Sequence, residues 1–400
     1  MPRRRATLRL RSEIIGLKRD EKAVPSDTGA TVPSEDPQLD ESHSPAHLLT
    51  CSPARHTSAS AVAKLILCGE HAVVYGRPAI ALPLASIRAR ADIADLPSGN
   101  GILVHARDLR RRWRVANDPN GPISQLLTNI LGYLQVAPAP DLRITISSTI
   151  PIASGMGSGA AVATAIVRAL AAHLGRYIAP ADISTLVYAS EQRFHGTPSG
   201  IDNTVIAYEQ PIWFVRQQTN DQGRRTNDIS ELSSLVVRPS SGNSYPPMIE
   251  PITIASPFIL LIGETGIRSA TRLPVGAVRQ RWQAAPARYE ALFDQVGLIV
   301  AQVRAALQDD ISALGPLLSQ NHWLLQQIGV SSPELDRLVE AAVAAGALGA
   351  KLSGAGWGGV MLALVTHDTR ERVANALEQA GAKRVSATEV SLSRPEPAAS

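Results

Sequence analysis

Two apolar runs, AVAKLIL and AIALPL, flank the polar turn Gly69-Glu70-His71 within residues 61–84. The pattern predicts a strand, a loop and a second strand, with order beginning near Ala59. Farther on, LRITISSTI (142–150) alternates Leu142, Ile144 and Ile146 with polar positions, the period of a half-buried strand. Val162, Ile166, Leu170 and Leu174 then recur every four residues, marking one apolar face of a helix. Comparable patterns predict helices over 120–135 and 180–194, and IWFV (212–215) predicts a strand.

The apolar periodicity stops at Gln217. Residues 217–251 are rich in Asn, Asp, Ser and Pro and read as an inserted loop. FILLIGE (258–264) resumes a strand, and helical patterns cover 275–307 and 310–328. Ser332 and Pro333 then supply a cap and a first-position proline for a further helix. GVMLALV (359–365), TRERVANALEQAG (369–381) and VSATEV (385–390) form a βαβ unit of ferredoxin-like type. The chain therefore reads as α+β, with domains at 58–216 and 252–392 and a Pro-rich tail at 393–400.

Length and charge narrow the class. Four hundred residues with 44% apolar content suit two globular domains, and no run approaches the 18 apolar residues of a membrane span. Residues 1–22 hold eight Lys/Arg against three Asp/Glu, a net +5, so the formal +4 of the whole leaves −1 for everything else. The globular part has no basic excess for nucleic acid. Residues 1–57 carry too little apolar surface to repay ordering entropy, and they are expected to be disordered or translated from an upstream start codon. Two cysteines, Cys51 and Cys68, make no disulfide framework, which suits a reducing cytoplasm.

The stretch PIASGMGSGAA (151–161) joins the 142–150 strand to the following helix through Gly155, Gly157 and Gly159. Bare backbone at a helix start favours an anion, most often phosphate. A P-loop is excluded because no lysine follows Gly159. Gly155-x-Gly157-x-x-Ala160 with Asp182 fits a dinucleotide fingerprint, but the segment after the helix reads as a second helix, so the required βαβ unit is missing. Lys64 lies in an apolar strand, Glu191 and His195 are i, i+4 on a helix, and Asp202 follows the turn Gly196-Thr197-Pro198-Ser199-Gly200. A second glycine loop, KLSGAGWGGVMLAL (351–364), enters a strand. Phosphoryl transfer unites these parts: glycine loops for phosphates, a carboxylate for a divalent cation, a lysine for charge and an aspartate for the hydroxyl proton.

Taken in order, the segments around Lys64, the 151–161 loop with ASEQRFHGTPSGIDN, and KLSGAG resemble the three motifs of the GHMP small-molecule kinases over residues 59–390. CGEHAVVYGRPAIA and HGTPSGIDN are most similar to the mevalonate kinases among them. The resemblance implies a domain like ribosomal protein S5 domain 2 joined to a ferredoxin-like (split βαβ) C-terminal domain. It implies transfer of phosphate from ATP to the C5 hydroxyl of mevalonate with Mg²⁺, and it leaves a homodimer open. By the same resemblance Pro151, Ile152, Ala153, Ser154, Gly155, Met156, Gly157, Ser158, Gly159, Ala160 and Ala161 would bind ATP phosphates, and Ser158 and Glu191 would hold Mg²⁺. Asp202 would be the base, paired with Lys64, while Glu70, His71, Arg216 and Thr271 would stand on the substrate side.

Three positions depart from the family pattern: Ala61-Val62-Ala63 before the lysine, Gly159 in place of a second loop serine, and Trp357 in the last glycine loop. Rival readings are a phosphomevalonate kinase or decarboxylase of the same superfamily, and a silent nucleotide-binding relative.

Overall fold

The strand, turn and strand expected from residue 59 are two long antiparallel partners, β1 (His56–Cys68) and β2 (Pro78–Asp95). They belong to a computed structural model that describes residues 55–151, 154–195, 199–216, 247–269 and 271–391. Residues 1–54 of the head expected to be disordered, the tail and most of the 217–251 loop lie outside those residues, but the expectation fails at His56 and Thr57, which pair with Ala94 and Ile93 as the start of β1. After β2 come β3 (Ile102–Ala106), β4 (Arg111–Arg114), α1 (Pro122–Tyr133), β5 (Leu142–Ser148), α2 (Ser158–His173), α3 (Pro180–His195), α4 (Ile201–Tyr208), β6 (Ile212–Val215) and β7 (Met248–Pro251). The seven strands form one sheet in the order β4-β3-β5-β2-β6-β7, and β1 pairs with the other edge of β2.

Burial on one face of this sheet explains its helices. Ala160, Ala161, Ala165 and Ala169 of α2 are buried, and such small side chains let the helix axis come close to β1 and β2. Ile166, Val167 and Leu170 fill the remaining space. One expectation is corrected here. Residues 248–251 are not loop but β7, since Met248–Pro251 pair with β6 and extend the sheet. The β3–β4 pair was not legible either, because the strand RRWR is charged at alternate exposed positions along a sheet edge.

The second lobe runs β8 (Phe258–Glu264), α5 (Arg272–Ala284), α6 (Pro286–Gln308), α7 (Leu314–Ile328), α8 (Pro333–Ala344), β9 (Gly349–Ser353), β10 (Val360–Val365), α9 (Arg370–Gln379) and β11 (Arg384–Val390). The one helix read over 275–307 is two, because Pro286 lacks the N–H that would continue α5 and instead opens α6. Ser332 caps α8, accepting from Leu335 N at 3.4 Å. The strand order β11-β8-β10-β9 places β8 between the two strands of the βαβ unit, the split arrangement expected. Tyr75 stacks on Phe293 at 4.3 Å and Arg77 bonds Asp294 at 2.7 Å, which join the lobes through α6.

Candidate active site

Between β5 and α2 the chain turns through the glycine loop. Gly157 takes φ 72 as the cap of α2, and a Cβ there would stand 2.8 Å from Ile206 Cδ1 and 2.9 Å from Lys64 Cγ. Only glycine fits that close approach. Lys64 N donates to Met156 O at 3.1 Å, and Ser154 Oγ donates to Pro151 O at 2.8 Å, so the loop is held from both ends. Gly155 is exposed with φ 81.

Two members of the stretch behave differently from expectation. Gly159 is the second residue of α2, with no positive φ and open space around its Cα, so nothing local demands glycine. Ala161 N donates to Gly157 O at 2.9 Å, so its amide is spent inside the helix and is not free for an anion. The earlier amides of the first turn have no acceptor within the helix, and no side chain caps it. Ile152 and Ala153 lie outside the described residues.

Beneath the loop, Lys64 Nζ lies 2.9 Å from Asp202 Oδ1. Lys64 is 3% exposed, whereas the Asp202 side chain keeps about 30% of its surface open. Beyond the glycine-containing turn, Asp202 sits in the first turn of α4, where the helix dipole favours a negative charge. Asn203 fixes that turn, donating through Nδ2 to Ser184 O at 3.1 Å and Ser184 Oγ at 2.8 Å on α3. Glu191, near the other end of α3, has its carboxyl pushed up to about 8 by burial and by the charge of Asp202, against the pull of Lys64. Glu191 thus lies within the field of both members of the Lys64–Asp202 pair. The side chain of His195, noted with Glu191 in the sequence, lies outside the described residues.

The second glycine loop folds onto the first. A Cβ on Gly354 would stand 3.9 Å from Gly155 Cα, and one on Gly359 would stand 3.3 Å from Ser154 O. Trp357 adopts φ 56; its N donates to Val330 O at 2.9 Å and its Nε1 to Gly329 O at 3.1 Å. The departure at this position therefore anchors the loop to the end of α7.

His71 is buried, with Nε2 donating to Ala355 O at 2.9 Å, and burial pushes its pKa down to about 4, so it is neutral. Glu70 is 1% exposed and its carboxylate pairs with Lys351, so it offers no open surface to a substrate. Thr271 is exposed at the start of α5, and Arg216 is half-buried directly after β6. Each adjoins a segment outside the described residues. Sequence reasoning missed Lys351, although it repeats the signal of Lys64: Ala-Lys-Leu within a small-residue strand.

Two lobes of this topology, with facing glycine loops and a lysine–aspartate pair below them, have the architecture of the GHMP class of small-molecule kinases. The family model for the GHMP kinases N terminal domain matches residues 124–210 and that for GHMP kinases C terminal matches 302–383. The mevalonate kinase of Pyrococcus horikoshii is 32% identical over 351 residues, covering 82% of this chain and 93% of its own length. That of Pyrococcus abyssi is 32% identical over 344 residues, covering 81% and 92%. A crystal structure of L. major mevalonate kinase in complex with R-mevalonate superimposes with a TM-score of 0.70 at 28% identity, over 86% of this chain and 98% of that one. The chain belongs to the mevalonate kinase family of the GHMP kinases.

Proposed function

We propose that the protein transfers the γ-phosphoryl group of ATP to the C5 hydroxyl of mevalonate, and that the observation carrying this reading is the Lys64–Asp202 pair at 2.9 Å below the 154–161 loop. The free amides at the start of α2 hold the phosphates. Asp202, open on one side, accepts the hydroxyl proton as the oxygen attacks phosphorus and the bond to the β-phosphate oxygen breaks, releasing ADP. Lys64 keeps Asp202 oriented and offsets charge on the phosphoryl oxygens.

The acid pair fits a divalent cation, because burial and the nearby Asp202 make ionised Glu191 costly beside the single ammonium of Lys64, and a bound cation would let both carboxyl groups ionise. Glu191 and the Ser158 hydroxyl are hard oxygen donors that suit Mg²⁺. Substrate phosphates and water would complete its coordination, as is common for Mg²⁺ in phosphoryl-transfer sites. Bound there, Mg²⁺ would neutralise phosphate charge.

His71, Arg216 and Thr271 are assigned to the mevalonate side, Arg216 as cation for the carboxylate. Glu70 reaches that side only through its neighbour His71. A reducing cytoplasm suits the buried free Cys68. A coupled ADP-release assay with mevalonate, 5-phosphomevalonate or no acceptor tests the reading. ADP release that depends on mevalonate is expected, and preference for 5-phosphomevalonate would move the protein one reaction later.

A further inference from the structure

We infer that Lys351 is a positioning residue of the reaction, acting through its buried ion pair with Glu70 to set the 69–71 turn against the 353–359 glycine loop. The inference rests on the phosphate-loop reading above. Lys351 and Ser353 alternate on β9 and so face the same way, and the chain then bends at Gly354, with φ 93, to bring the Ala355 carbonyl to the same side. Each meets the β1 side of the cleft: Lys351 pairs with Glu70, Ser353 Oγ donates to Ile66 O at 2.8 Å, and Ala355 O accepts from His71 Nε2 at 2.9 Å. The same loop continues into Gly354 and Gly359, which abut Gly155 and Ser154 of the phosphate loop. A single line of contacts therefore runs from the turn carrying His71 to the loop proposed to hold ATP.

The central contact is of an unusual kind. Lys351 is 0% exposed and Glu70 1%, and Lys351 Nζ also donates to Leu352 O at 2.6 Å. Glu70 Oε2 has no hydrogen-bond partner among the described residues, so Lys351 is the group that balances this carboxylate. A fully buried ion pair gives little net stability compared with apolar side chains of the same volume. What it does give is a fixed distance and direction between two chain segments, here one from each lobe.

The test compares Lys351→Met with the double variant Glu70→Leu/Lys351→Met. The single variant strands a buried carboxylate and should lower the thermal midpoint and kcat/KM together. The double variant restores apolar packing and should regain the midpoint to within a few degrees. In it, hydrogen exchange at the amides of 69–74 and 353–359 should be about tenfold faster, with the central strands unchanged, and kcat/KM should stay about tenfold low. Recovery of both exchange protection and kcat/KM would show that the pair only supports the fold, and would overturn the inference. Should the double variant not fold, Glu70→Gln keeps shape and one hydrogen bond, and unchanged exchange in those two segments would overturn it equally. Exchange is read on the enzyme without substrate, so it stands even if the wild type fails to phosphorylate mevalonate, which the wild-type ADP assay decides separately.

Discussion

The ammonium of Lys64, in the middle of β1, stands 2.9 Å from the Asp202 carboxylate in the first turn of α4, and the Lys64 backbone at the same time grips the phosphate loop at Met156. One residue thereby ties the proposed proton acceptor to the proposed phosphate cradle. Asp202→Asn keeps the shape of the turn without a base, so kcat should fall roughly 10²-fold or more while nucleotide affinity holds. Lys64→Met should also depress kcat. Steady-state kinetics with nucleotide-binding calorimetry checks both, and near wild-type turnover of the asparagine variant would remove Asp202 from the chemistry.

Ser158→Ala removes the loop hydroxyl assigned to Mg²⁺ and should raise the Mg²⁺ requirement while lowering kcat. Gly159→Ser should be nearly neutral, because that position has ordinary helical backbone and open space. Initial rates across a Mg²⁺ titration of both variants are the measurement. An unchanged curve for Ser158→Ala would leave the cation to Glu191 and the phosphates.

Gly157→Ala should be the most damaging substitution in the loop. Positive φ costs a side chain about 1–2 kcal/mol, and its Cβ would press on Lys64 Cγ and Ile206 Cδ1. The expected result is a lower thermal midpoint with a kcat loss of about tenfold or more through displaced Lys64. Equal kcat at a lowered midpoint would separate the loop's shape from its role.

Stability should peak near neutral pH. Burial holds His71 and His322 down to about 4 against 6.5, so between those values the unfolded chain binds more protons, and stability is lost as pH falls from 6.5. The loss is about 3 kcal/mol per histidine at most. Glu191, pushed up to about 8, works the other way: its protonated form favours the folded state, so its contribution is full below 4.5 and fades as pH rises to 8. Thermal midpoints from pH 4.5 to 8.5 should show an acid limb reduced in His322→Gln and an alkaline limb absent in Glu191→Gln. A flat acid limb in the wild type would contradict the neutral histidines.

Arg216→Ala should raise KM for mevalonate and spare that for ATP, since the carboxylate loses a charge-assisted partner. The opposite pattern would place Arg216 at the nucleotide.

Local order was legible in the chain because its causes are local. Period-two and period-four burial marked β5 and α2, Ser332-Pro333 marked the start of α8, and glycines between a strand and a helix marked the phosphate loop. Lys64, Glu191 and Asp202 stood out as charges in places that otherwise favour apolar or turn residues. Positions whose role depends on a distant neighbour were not legible. Nothing within a few residues of Lys351 says that it neutralises Glu70, and β7 carries no alternation strong enough to separate it from the loop before it. Gly157 and Gly159 look alike in sequence, yet one is required by Lys64 and Ile206 and the other faces open space. Most strands and helices, and the charged groups among them, could be read from the chain because hydrophobic period and backbone freedom are properties of short segments, whereas β3, β4 and β7 could not. Which charges meet and which glycines are obligatory depends on packing, because burial and close approach exist only once β1, α4 and β9 have come together.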